Sequence, residues 1–421
     1  FMYKKDKNSL KNLILKKNKN SSKYFYPLLE NAFSSQDLVS GIKVVASGQL
    51  TMSHRTRKFE KEFARKLKTK YAIMVNSGSS ANLLATFASC NPLRKNKFKI
   101  GDEALIPALC WPTSLWPLVQ AGLKPVFVDV EKDTLNVEPN ALLKKITKRT
   151  KVIMLIHVLG NSTDVEKIRK IAKRKKIILI EDTCESLGAK YKNKFLGTFG
   201  DFGTFSFYYS HQMTSGEGGM IVTNDKNDYE LLYAMRAHGW SRGTTIGKKI
   251  ERKNPNLDSR FVFINSGFNL RPTDISASIG NNQFKRLDKF IRVRDINNAK
   301  IKNALKKSIK WNEQFTFQKI NKKTKPSFFG FPILINPKFK KKKKKYLMLL
   351  DKFGVETRPI ISGNFLNQPA AKLFGLKKKN EKFSEAQKIE DLGFFIGLHA
   401  KPIKKEILKK LVNILFKIDT I

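Results

Sequence analysis

The sequence predicts an α/β protein with a mostly parallel central sheet and a smaller α+β domain toward the C-terminus. From about residue 57 to residue 280, amphipathic helices alternate with short apolar segments. These segments are almost continuously apolar, which is typical of parallel strands covered by helices on both faces. Near Asn282 the alternation gives way to a long polar helix and mixed short elements. We therefore predict an N-terminal arm over residues 1–44 that packs with the small domain, a large domain over residues 45–281 and a small domain over residues 282–421.

The individual elements follow from local patterns of apolar residues and helix breakers. In the arm, FYPLLENAFSSQDLVSGIKVVASG predicts one helix that Gly48 closes. At the start of the large domain, KFEKEFARKLK predicts an amphipathic helix. The large domain then alternates predicted strands and helices, in the order YAIMVN, SSANLLATFAS, EALIPAL, TSLWPLVQAG, PVFVDV, KVIMLIHV, VEKIRKIAKRKK and IILIED. Two more strands follow, one carrying Ser206 and one over MIVT. After them, FKRLDKFIRVRDINNAKIKNAL predicts a long polar helix, and the lysine run at residues 340–345 predicts a solvated loop.

Composition excludes several classes of protein. The chain has 421 residues, of which 41% are hydrophobic, so it can bury a large core and is not wholly disordered. No run approaches about 18 uninterrupted apolar residues, so we predict no membrane-spanning segment. The first twenty residues carry only a short apolar patch, so we expect no secretory signal there. Three cysteines are too few for a disulfide framework, and a reducing, cytoplasmic setting fits best.

The net charge of +47 allows three interpretations. A basic surface can bind nucleic acid because it neutralises phosphates. It can also attract a small anionic substrate. The plainest interpretation is a lysine-rich bias on a solvated surface, because basic residues are spread along the whole chain and only residues 340–345 form a dense run. Since no nucleic-acid-binding motif accompanies that run, we favour the bias and expect no nucleic-acid partner.

Two segments at predicted strand ends carry candidate binding residues. NSGSSAN contains Gly78 and Ser79 at a strand-to-helix turn, where backbone N–H groups and the helix dipole can bind a phosphate. A capped helix after an ordinary turn explains the same residues. EDTCESLG places Asp182 at the carboxyl end of a strand, where ligands of open α/β sheets bind. Such an acid can pair with a protonated ring nitrogen, or it can simply cap a helix.

Two later segments add polar residues near glycines. GDFGTFSFYYSHQMTSGEGGMIVTND carries Ser206 on a strand and then His211 before a glycine-rich turn. A lone histidine of this kind is more often structural than catalytic. SGFNLRPTDISASIG places Asn269 and Arg271 before a helix of small residues.

Taken together and in this order, the motifs resemble the DegT-type nucleotide-sugar aminotransferases, which are fold-type I enzymes dependent on pyridoxal 5′-phosphate (PLP). The resemblance covers about residues 25 to 400 and includes GDEALIPALCWPTSLWPLVQAGLKPVFVDV as well as the four segments above. It implies a homodimer with shared active sites and a set of cofactor-binding residues. In that set Gly78, Ser79 and Ser206 would bind the phosphate, Asp182 the ring nitrogen, Trp111 the ring face and Glu185 the ring hydroxyl, and Asn269 would reach the phosphate of the partner subunit.

One departure from the family changes the expected reaction. The aminotransferases of this family carry a lysine before the TxGEGG motif, and this chain has His211 there. Without that amine no covalent link to the cofactor can form. Within the family the same change marks 3-dehydratases of 4-keto-6-deoxy nucleotide sugars, and the segments VETRPIISGNFLNQPA and GFFIGLHA strengthen this resemblance.

The resemblance therefore implies removal of the C3 hydroxyl from a 4-keto-6-deoxy nucleotide sugar, with a GDP-linked mannose derivative expected. Such 3-deoxy sugars belong to lipopolysaccharide O-antigens. Pyridoxamine 5′-phosphate (PMP) would be the working form of the cofactor, glutamate would regenerate it, and His211 would be the catalytic base. Glu356 and Arg358 are candidates for binding the substrate, and Arg358 is also the candidate for binding the glutamate carboxylate.

Other possibilities stay open on the sequence. The fold could have lost or altered its catalysis, or it could have become a nucleic-acid-binding protein. A related branch acts on a CDP-sugar with a [2Fe–2S] cluster, which normally takes four cysteine ligands. This chain has only Cys90, Cys110 and Cys184, in unrelated segments, so we expect no metal.

Overall fold

A computed structural model describes residues 23–30, 33–378 and 380–421. The strands are β1 (Tyr71–Val75), β2 (Glu103–Pro107), β3 (Lys124–Val128), β4 (Thr150–Ile156), β5 (Ile178–Asp182), β6 (Lys190–Tyr191), β7 (Lys194–Phe195), β8 (Phe202–Ser206), β9 (Gly219–Thr223), β10 (Phe315–Phe317), β11 (Thr324–Lys325), β12 (Gly330–Ile335), β13 (Thr357–Arg358) and β14 (Gly393–Gly397).

The α-helices are α1 (Ser35–Ala46), α2 (His54–Leu67), α3 (Gly78–Ser89), α4 (Pro112–Gln120), α5 (Pro139–Lys144), α6 (Val165–Arg174), α7 (Lys226–Met235), α8 (Thr245–Lys253), α9 (Asp274–Phe284), α10 (Leu287–Lys306), α11 (Lys343–Lys352), α12 (Pro369–Leu373), α13 (Ser384–Leu392) and α14 (Lys405–Leu415). Within the described ranges, no helix is long and apolar enough to cross a bilayer.

The central sheet has seven strands in the order β1-β9-β8-β5-β4-β2-β3. Only β9 runs against the others, because it pairs antiparallel with both β1 and β8. Every residue of β2, β5, β8 and β9 is buried, which explains why their sequences are apolar without alternation. The predicted α/β fold with a mostly parallel sheet is confirmed. Its consequence is that Asp182 and Ser206 end neighbouring parallel strands at one edge of the sheet.

The C-terminal part has a sheet of its own, as the predicted smaller α+β unit requires. Its four strands are antiparallel in the order β10-β12-β14-β13. A third sheet joins β11 to β6 and β7, so it links residues on both sides of the predicted boundary at residue 282. The domain boundaries therefore stay a prediction.

The prediction of one long helix in the arm is wrong. The helix covers only Ser35–Ala46, because the Ser34 side chain accepts a hydrogen bond from the backbone N–H of Asp37 and starts it there. Upstream, Tyr26 is in extended backbone: its N–H donates to Gly354 O at 2.8 Å, and its own carbonyl accepts from the N–H of Glu356. Residues 1–22 and 31–32, which also belong to the predicted arm, lie outside the described residues.

The arm contacts both predicted domains. Tyr26 packs with the C-terminal part, where its hydroxyl donates to Gly397 O at 3.0 Å. Helix α1 packs instead against α9, which crosses the predicted boundary at residue 282. On the large-domain side Ser278 Oγ donates to Ser40 O at 3.2 Å, and just past the boundary Gln283 and Arg286 donate to the buried Asp37 carboxylate.

The lysine run at residues 340–345 was predicted as a solvated loop, and this too is wrong. It completes a 3-10 helix over Pro337–Lys342 and begins α11. Lys340 Nζ lies 2.6 Å from Asp391, and Lys343 Nζ donates to the carbonyl of Glu390. These contacts dock α11 onto α13, and burial lowers the pKa of Lys343 to about 8.

Candidate active site

A cavity of about 490 Å³ opens at the carboxyl ends of β5 and β8. Eight of the residues predicted for the site line it, namely Gly78, Ser79, Trp111, Asp182, Glu185, Ser206, His211 and Arg358. Asn269 and Glu356 are not among its lining residues. The cavity lies where parallel strands end and helices begin, which is the usual position of ligand sites in such sheets.

The N-terminus of α3 faces this cavity. Ser77 caps the helix, and its hydroxyl accepts the N–H of Ser80 at 3.1 Å. The first backbone N–H groups of a helix have no partner within it, and the helix dipole makes this end attractive to anions. Gly78 is required here by a close approach, since a Cβ would lie 2.5 Å from Cβ and 2.9 Å from Oγ of Ser206. The result is a backbone turn with a hydroxyl beside it.

The Asp182 carboxylate is buried and held from two sides. Its Oδ2 accepts hydrogen bonds from Asn82 Nδ2 at 2.8 Å and from Ser114 Oγ at 2.7 Å. Its Oδ1 accepts the backbone N–H of Cys184 at 3.1 Å. These three donors hold the carboxyl group in one orientation at the base of the cavity. Such a carboxylate can pair with a cationic ring nitrogen.

Glu185 is also in the cavity wall, with a different electrostatic environment. Removal from water, with a smaller contribution from the charge of Asp182, raises its pKa to about 8, against the lowering effect of one hydrogen bond that it accepts from the N–H of Leu159 at 3.1 Å. At neutral pH this carboxyl is therefore mostly protonated, and it can donate a hydrogen bond as well as accept one. Glu185 therefore differs from Asp182, whose carboxyl group accepts three hydrogen bonds.

His211 has its ring against the cavity. The ring packs edge-on against Phe329, with centroids 5.1 Å apart, and its Nδ1 lies 3.4 Å from the carbonyl oxygen of Ser206. Because a carbonyl only accepts, this contact favours the tautomer with the proton on Nδ1 and a lone pair on Nε2. Burial, and then the charge of Arg294, lowers the pKa of His211 to about 3. The imidazole is therefore neutral and can accept a proton.

Trp111 ends the turn before α4 and remains 54% exposed, although it lines the cavity. A large exposed aromatic face at a cavity mouth can stack on a planar ring. Tyr208, 50% exposed, lines the same cavity from the loop that carries His211.

The remaining predicted residues lie outside the cavity or at its edge. The side chain of Asn269 accepts a hydrogen bond from Arg271 Nε at 3.0 Å, away from the lining. Glu356 binds the backbone N–H of Leu28 at 2.9 Å and Arg358 Nη2 at 2.8 Å. Arg358 is exposed and lines the cavity. Within this chain, Glu356 thus orients Arg358.

Sequence analysis missed a buried pair in the same wall. His157 Nε2 lies 3.0 Å from Oε2 of Glu181, and both side chains are completely buried. Glu181 also accepts the backbone N–H groups of Gly197, Phe199 and Gly200, so it is a carboxylate acceptor and His157 Nε2 donates to it. The other ring nitrogen has no partner among the described residues. The sequence signal that could have identified His157 is its position just after β4, in KVIMLIHV.

The cavity is also defined by residue types it lacks. None of the described residues that line it is a lysine. In the part of the chain that the structure covers, no group of three or more histidine, cysteine, aspartate or glutamate side chains could hold a metal ion, and all three cysteines are free.

Comparison of the sequence with known protein families identifies the family of this chain. Residues 34–415 match the model of the DegT/DnrJ/EryC1/StrS aminotransferase family, and the chain belongs to that family. This confirms the family expected from the motifs.

One curated relative and two solved structures are similar to nearly the whole chain. The chain is 36% identical, over 93% of its length and 98% of the relative's, to the GDP-4-keto-6-deoxy-D-mannose 3-dehydratase of Yersinia pseudotuberculosis. The solved structure of the E. coli GDP-4-keto-6-deoxy-D-mannose 3-dehydratase with bound hydrated PLP superposes with a TM-score of 0.82 at 34% identity, covering 93% of this chain and 99% of that one. A second structure, of a GDP-4-keto-6-deoxymannose 3-dehydratase with a trapped PLP–glutamate geminal diamine, has a TM-score of 0.81 at 33% identity and covers 93% and 100%.

Proposed function

We propose that this chain catalyses the PMP-dependent 3-dehydration of a 4-keto-6-deoxy nucleotide sugar. The substrate proposed is GDP-4-keto-6-deoxymannose, the product is a 3-deoxy-4-keto sugar, and glutamate restores PMP from PLP. One observation carries the proposal: the cavity that holds Asp182 and the α3 N-terminus presents His211, and no lysine is among its described lining residues. Without a lysine amine, nothing in the lining competes for the aldehyde form of the cofactor. The names of the relatives support the substrate and the amino donor.

The residues present fit a phosphorylated pyridine cofactor. The backbone at Gly78 and Ser79, with the hydroxyl of Ser206, forms a cradle that a side chain at residue 78 would fill. Three donors hold the Asp182 carboxyl group in place, where it would pair with a cationic pyridine nitrogen. When bound, the amine form of this group supplies the nitrogen that condenses with the C4 ketone and a ring that withdraws electrons from the sugar.

His211 acts as the base in this proposal. Its Nδ1 proton is directed to the carbonyl of Ser206, so Nε2 has the lone pair that takes a proton from the cofactor methylene. Because its pKa is about 3, the ring is neutral before the step. The low pKa also makes the protonated ring a strong acid, so it gives the proton up readily, and the departing C3 hydroxyl is the acceptor we propose.

The two acids have separate tasks. Asp182 holds a proton on the ring nitrogen, because a charged carboxylate beside that nitrogen favours its protonated form. Glu185, protonated at neutral pH, donates a hydrogen bond toward the ring hydroxyl instead of repelling it. Trp111 covers the ring face and keeps water away from it.

Arg358 is proposed to bind the carboxylate of glutamate or an anionic group of the nucleotide sugar. It lines the cavity, and its Nη2 donates a hydrogen bond to Oε1 of Glu356 at 2.8 Å. A guanidinium held in this way keeps other N–H groups free for a second carboxylate.

The proposed assembly is a homodimer in the cytoplasm. Asn269, which does not line the cavity of its own chain, would reach the phosphate in the partner's cavity. Leu257, Phe261 and Phe263, in the segment leading to it, are each at least 55% exposed, as expected of a surface that a second chain covers. The free cysteines agree with a reducing compartment.

The test is an assay with purified protein, PLP, glutamate and GDP-4-keto-6-deoxymannose. We expect a 3-deoxy sugar, ammonia and 2-oxoglutarate in equal amounts, and no sugar product when glutamate and PMP are both left out. A dTDP- or CDP-linked substrate tests the choice of nucleotide. A 4-amino sugar as the main product, in place of the 3-deoxy sugar, would show that the chain is an aminotransferase and overturn the proposal.

A further inference from the structure

Arg294, in the middle of α10, is one of the most deeply buried side chains in the described structure, at 2% exposure. Its guanidinium binds two backbone carbonyls of other segments. Nε donates to Leu398 O at 2.9 Å, just after β14, and Nη2 donates to His211 O at 3.2 Å. The third nitrogen, Nη1, has no partner among the described residues.

This arginine differs from the other fully buried one. Arg236 forms an ion pair with Glu60 at 2.5 Å, so its charge is compensated. Arg294 forms no ion pair with any described residue, and burial lowers its pKa to about 10. A buried charge without a counterion costs stability, and an apolar side chain of similar size would fill the same space more cheaply. A position that keeps arginine under these conditions suggests a role beyond packing.

The segment around His211 is held from the C-terminal part at two other points. Gln212 Nε2 donates to Ser327 O at 3.1 Å, and the ring of Phe329 packs against the ring of His211. The backbone N–H of His211 closes a turn on Tyr208 O at 3.1 Å. Of these contacts, only the hydrogen bond from Arg294 holds the carbonyl of His211 itself.

We propose that Arg294 is a positioning residue for His211: by binding the carbonyl of residue 211 and anchoring it to Leu398, it fixes the imidazole against the cavity. The inference rests on the proposed function, in which His211 is the base. A fixed backbone keeps Nδ1 directed at Ser206 O and therefore keeps the lone pair on Nε2. The positive charge of Arg294 acts in the same direction, because it disfavours the imidazolium form.

Asn297, one turn along the same helix face, provides a matched control. It is buried like Arg294, and its Nδ2 donates to the carbonyls of His399 at 3.0 Å and Lys401 at 2.8 Å. It therefore docks α10 onto the segment after β14, as Arg294 does, but its side-chain hydrogen bonds within the described structure go to residues 399, 401 and 403 and not to His211. A loss of helix docking alone should affect variants at both positions equally.

The experiment compares Arg294→Met, Arg294→Lys and Asn297→Ala in the full chain with its cofactor. We expect both Arg294 variants to lose about 10²-fold in kcat with little change in KM for the sugar, because misplacing a catalytic group affects the chemical step. Asn297→Ala should unfold at a lower temperature and keep the wild-type kcat. Arg294→Lys retains the positive charge, so its kcat can still be measured if Arg294→Met does not fold.

A second readout does not depend on activity. Nitrogen-15 NMR of the five histidines, with His211→Asn to assign the signal, shows which ring nitrogen of His211 carries the proton. We expect mainly the Nδ1–H form in the wild type and in Asn297→Ala, and a mixture of tautomers in the Arg294 variants.

Wild-type kcat and an unchanged tautomer in both Arg294 variants would overturn the proposal, as would an equal loss of kcat in Asn297→Ala. If the wild type dehydrates no nucleotide sugar, the proposed function fails, and the tautomer measurement still decides whether Arg294 positions His211.

Discussion

Two cavities lie at opposite edges of the central sheet, and the larger one is not the candidate active site. The groove at the other edge, about 890 Å³, is lined by residues next to the start of β8 and the end of β9. There Arg94 binds Asp228 and Asp201, each at 2.9 Å, and the Asp225 side chain caps α7. None of its described lining residues has a buried side-chain polar atom without a partner.

The smaller cavity is lined by polar groups that can still bind a ligand. Its lining includes the free N–H groups of a helix N-terminus, a histidine nitrogen without a partner among the described residues, a protonated carboxyl and a neutral imidazole. Unsatisfied polar groups, and buried titratable side chains such as Glu185 and His211 that have no ion-pair partner among the described residues, distinguish the smaller cavity from a groove stabilised by internal ion pairs.

The largest effect is expected at His211. His211→Asn should fold and bind cofactor but lose about 10²–10⁴-fold in kcat, since the amide cannot accept the proton. Steady-state kinetics with glutamate and the nucleotide sugar measure the loss, and circular dichroism checks the fold. Dehydration at the wild-type rate would return His211 to a structural role.

His211→Lys is the counterpart that restores the amine of the family. We expect a new visible absorption band when PLP is added, because lysine at this position can bond covalently to the aldehyde. The absence of that band, with PLP bound, would mean that residue 211 does not reach the cofactor.

Asp182 comes next in size. Asp182→Asn should weaken cofactor binding and lower kcat by about 10²-fold or more, because a neutral amide cannot hold the ring nitrogen protonated. Asn82 and Ser114, which now donate to the carboxylate, can still bond to the amide oxygen, so we expect the fold to persist. Near-normal turnover in this variant would show that Asp182 serves only the structure.

Asn269 tests whether the cavity is completed by a second chain. A mixture of Asn269→Ala and His211→Asn chains should regain activity, since one of the two sites in a mixed dimer then has an intact His211 and an intact Asn269. The maximum is half of the wild-type activity per mixed dimer. If both residues act in one chain, mixed dimers that are shown to form will be inactive.

Much of this site could be predicted from the sequence, because several of its residues lie at the end of a strand or the start of a helix. Asp182 and Ser206 end apolar strands, and Gly78 begins a helix, so local pattern places all three at one edge of the sheet. Arg294 could not be predicted in the same way. It is one of two arginines in a polar helix, and only packing between distant segments buries it beside residue 211.

Both incorrect predictions involve a partner far away in the sequence, although the Ser34 cap with Asp37 was a local signal. The start of α1 depends on the Ser34 cap and on the pairing of Tyr26 with Gly354, and the second of these is a contact between the two ends of the chain. The lysine run is helical because Asp391 and the carbonyl of Glu390 stabilise it from α13. Local composition contains no information about such distant partners.

The groove at the opposite edge should respond in stability and not in rate. Arg94→Met leaves the buried Asp228 without its ion pair, and we expect a loss of about 1–3 kcal/mol in the free energy of unfolding, with kcat unchanged. Denaturant titration measures the first and the dehydration assay the second. Lys95→Met, at an exposed residue of the same groove, is the control that should change neither. A fall in kcat without a loss of stability would make the groove part of the function.

The smallest effect is expected in the pH dependence of stability, to which Glu185 should contribute. The pKa of Glu185 is about 8 in the folded chain, against an ordinary value of 4.5, so between about pH 5 and pH 8 the folded state holds a proton that the unfolded state has lost. Stability must therefore fall as pH rises through this window. Glu185→Gln is neutral at every pH and should remove this part of the slope in the cofactor-free protein. Glu217→Gln, at an exposed residue lining the same cavity, should leave the slope as it is. An identical slope in the wild type and Glu185→Gln would mean that Glu185 is ionised at neutral pH, and the proposed hydrogen bond from its carboxyl to the ring hydroxyl would have to be abandoned.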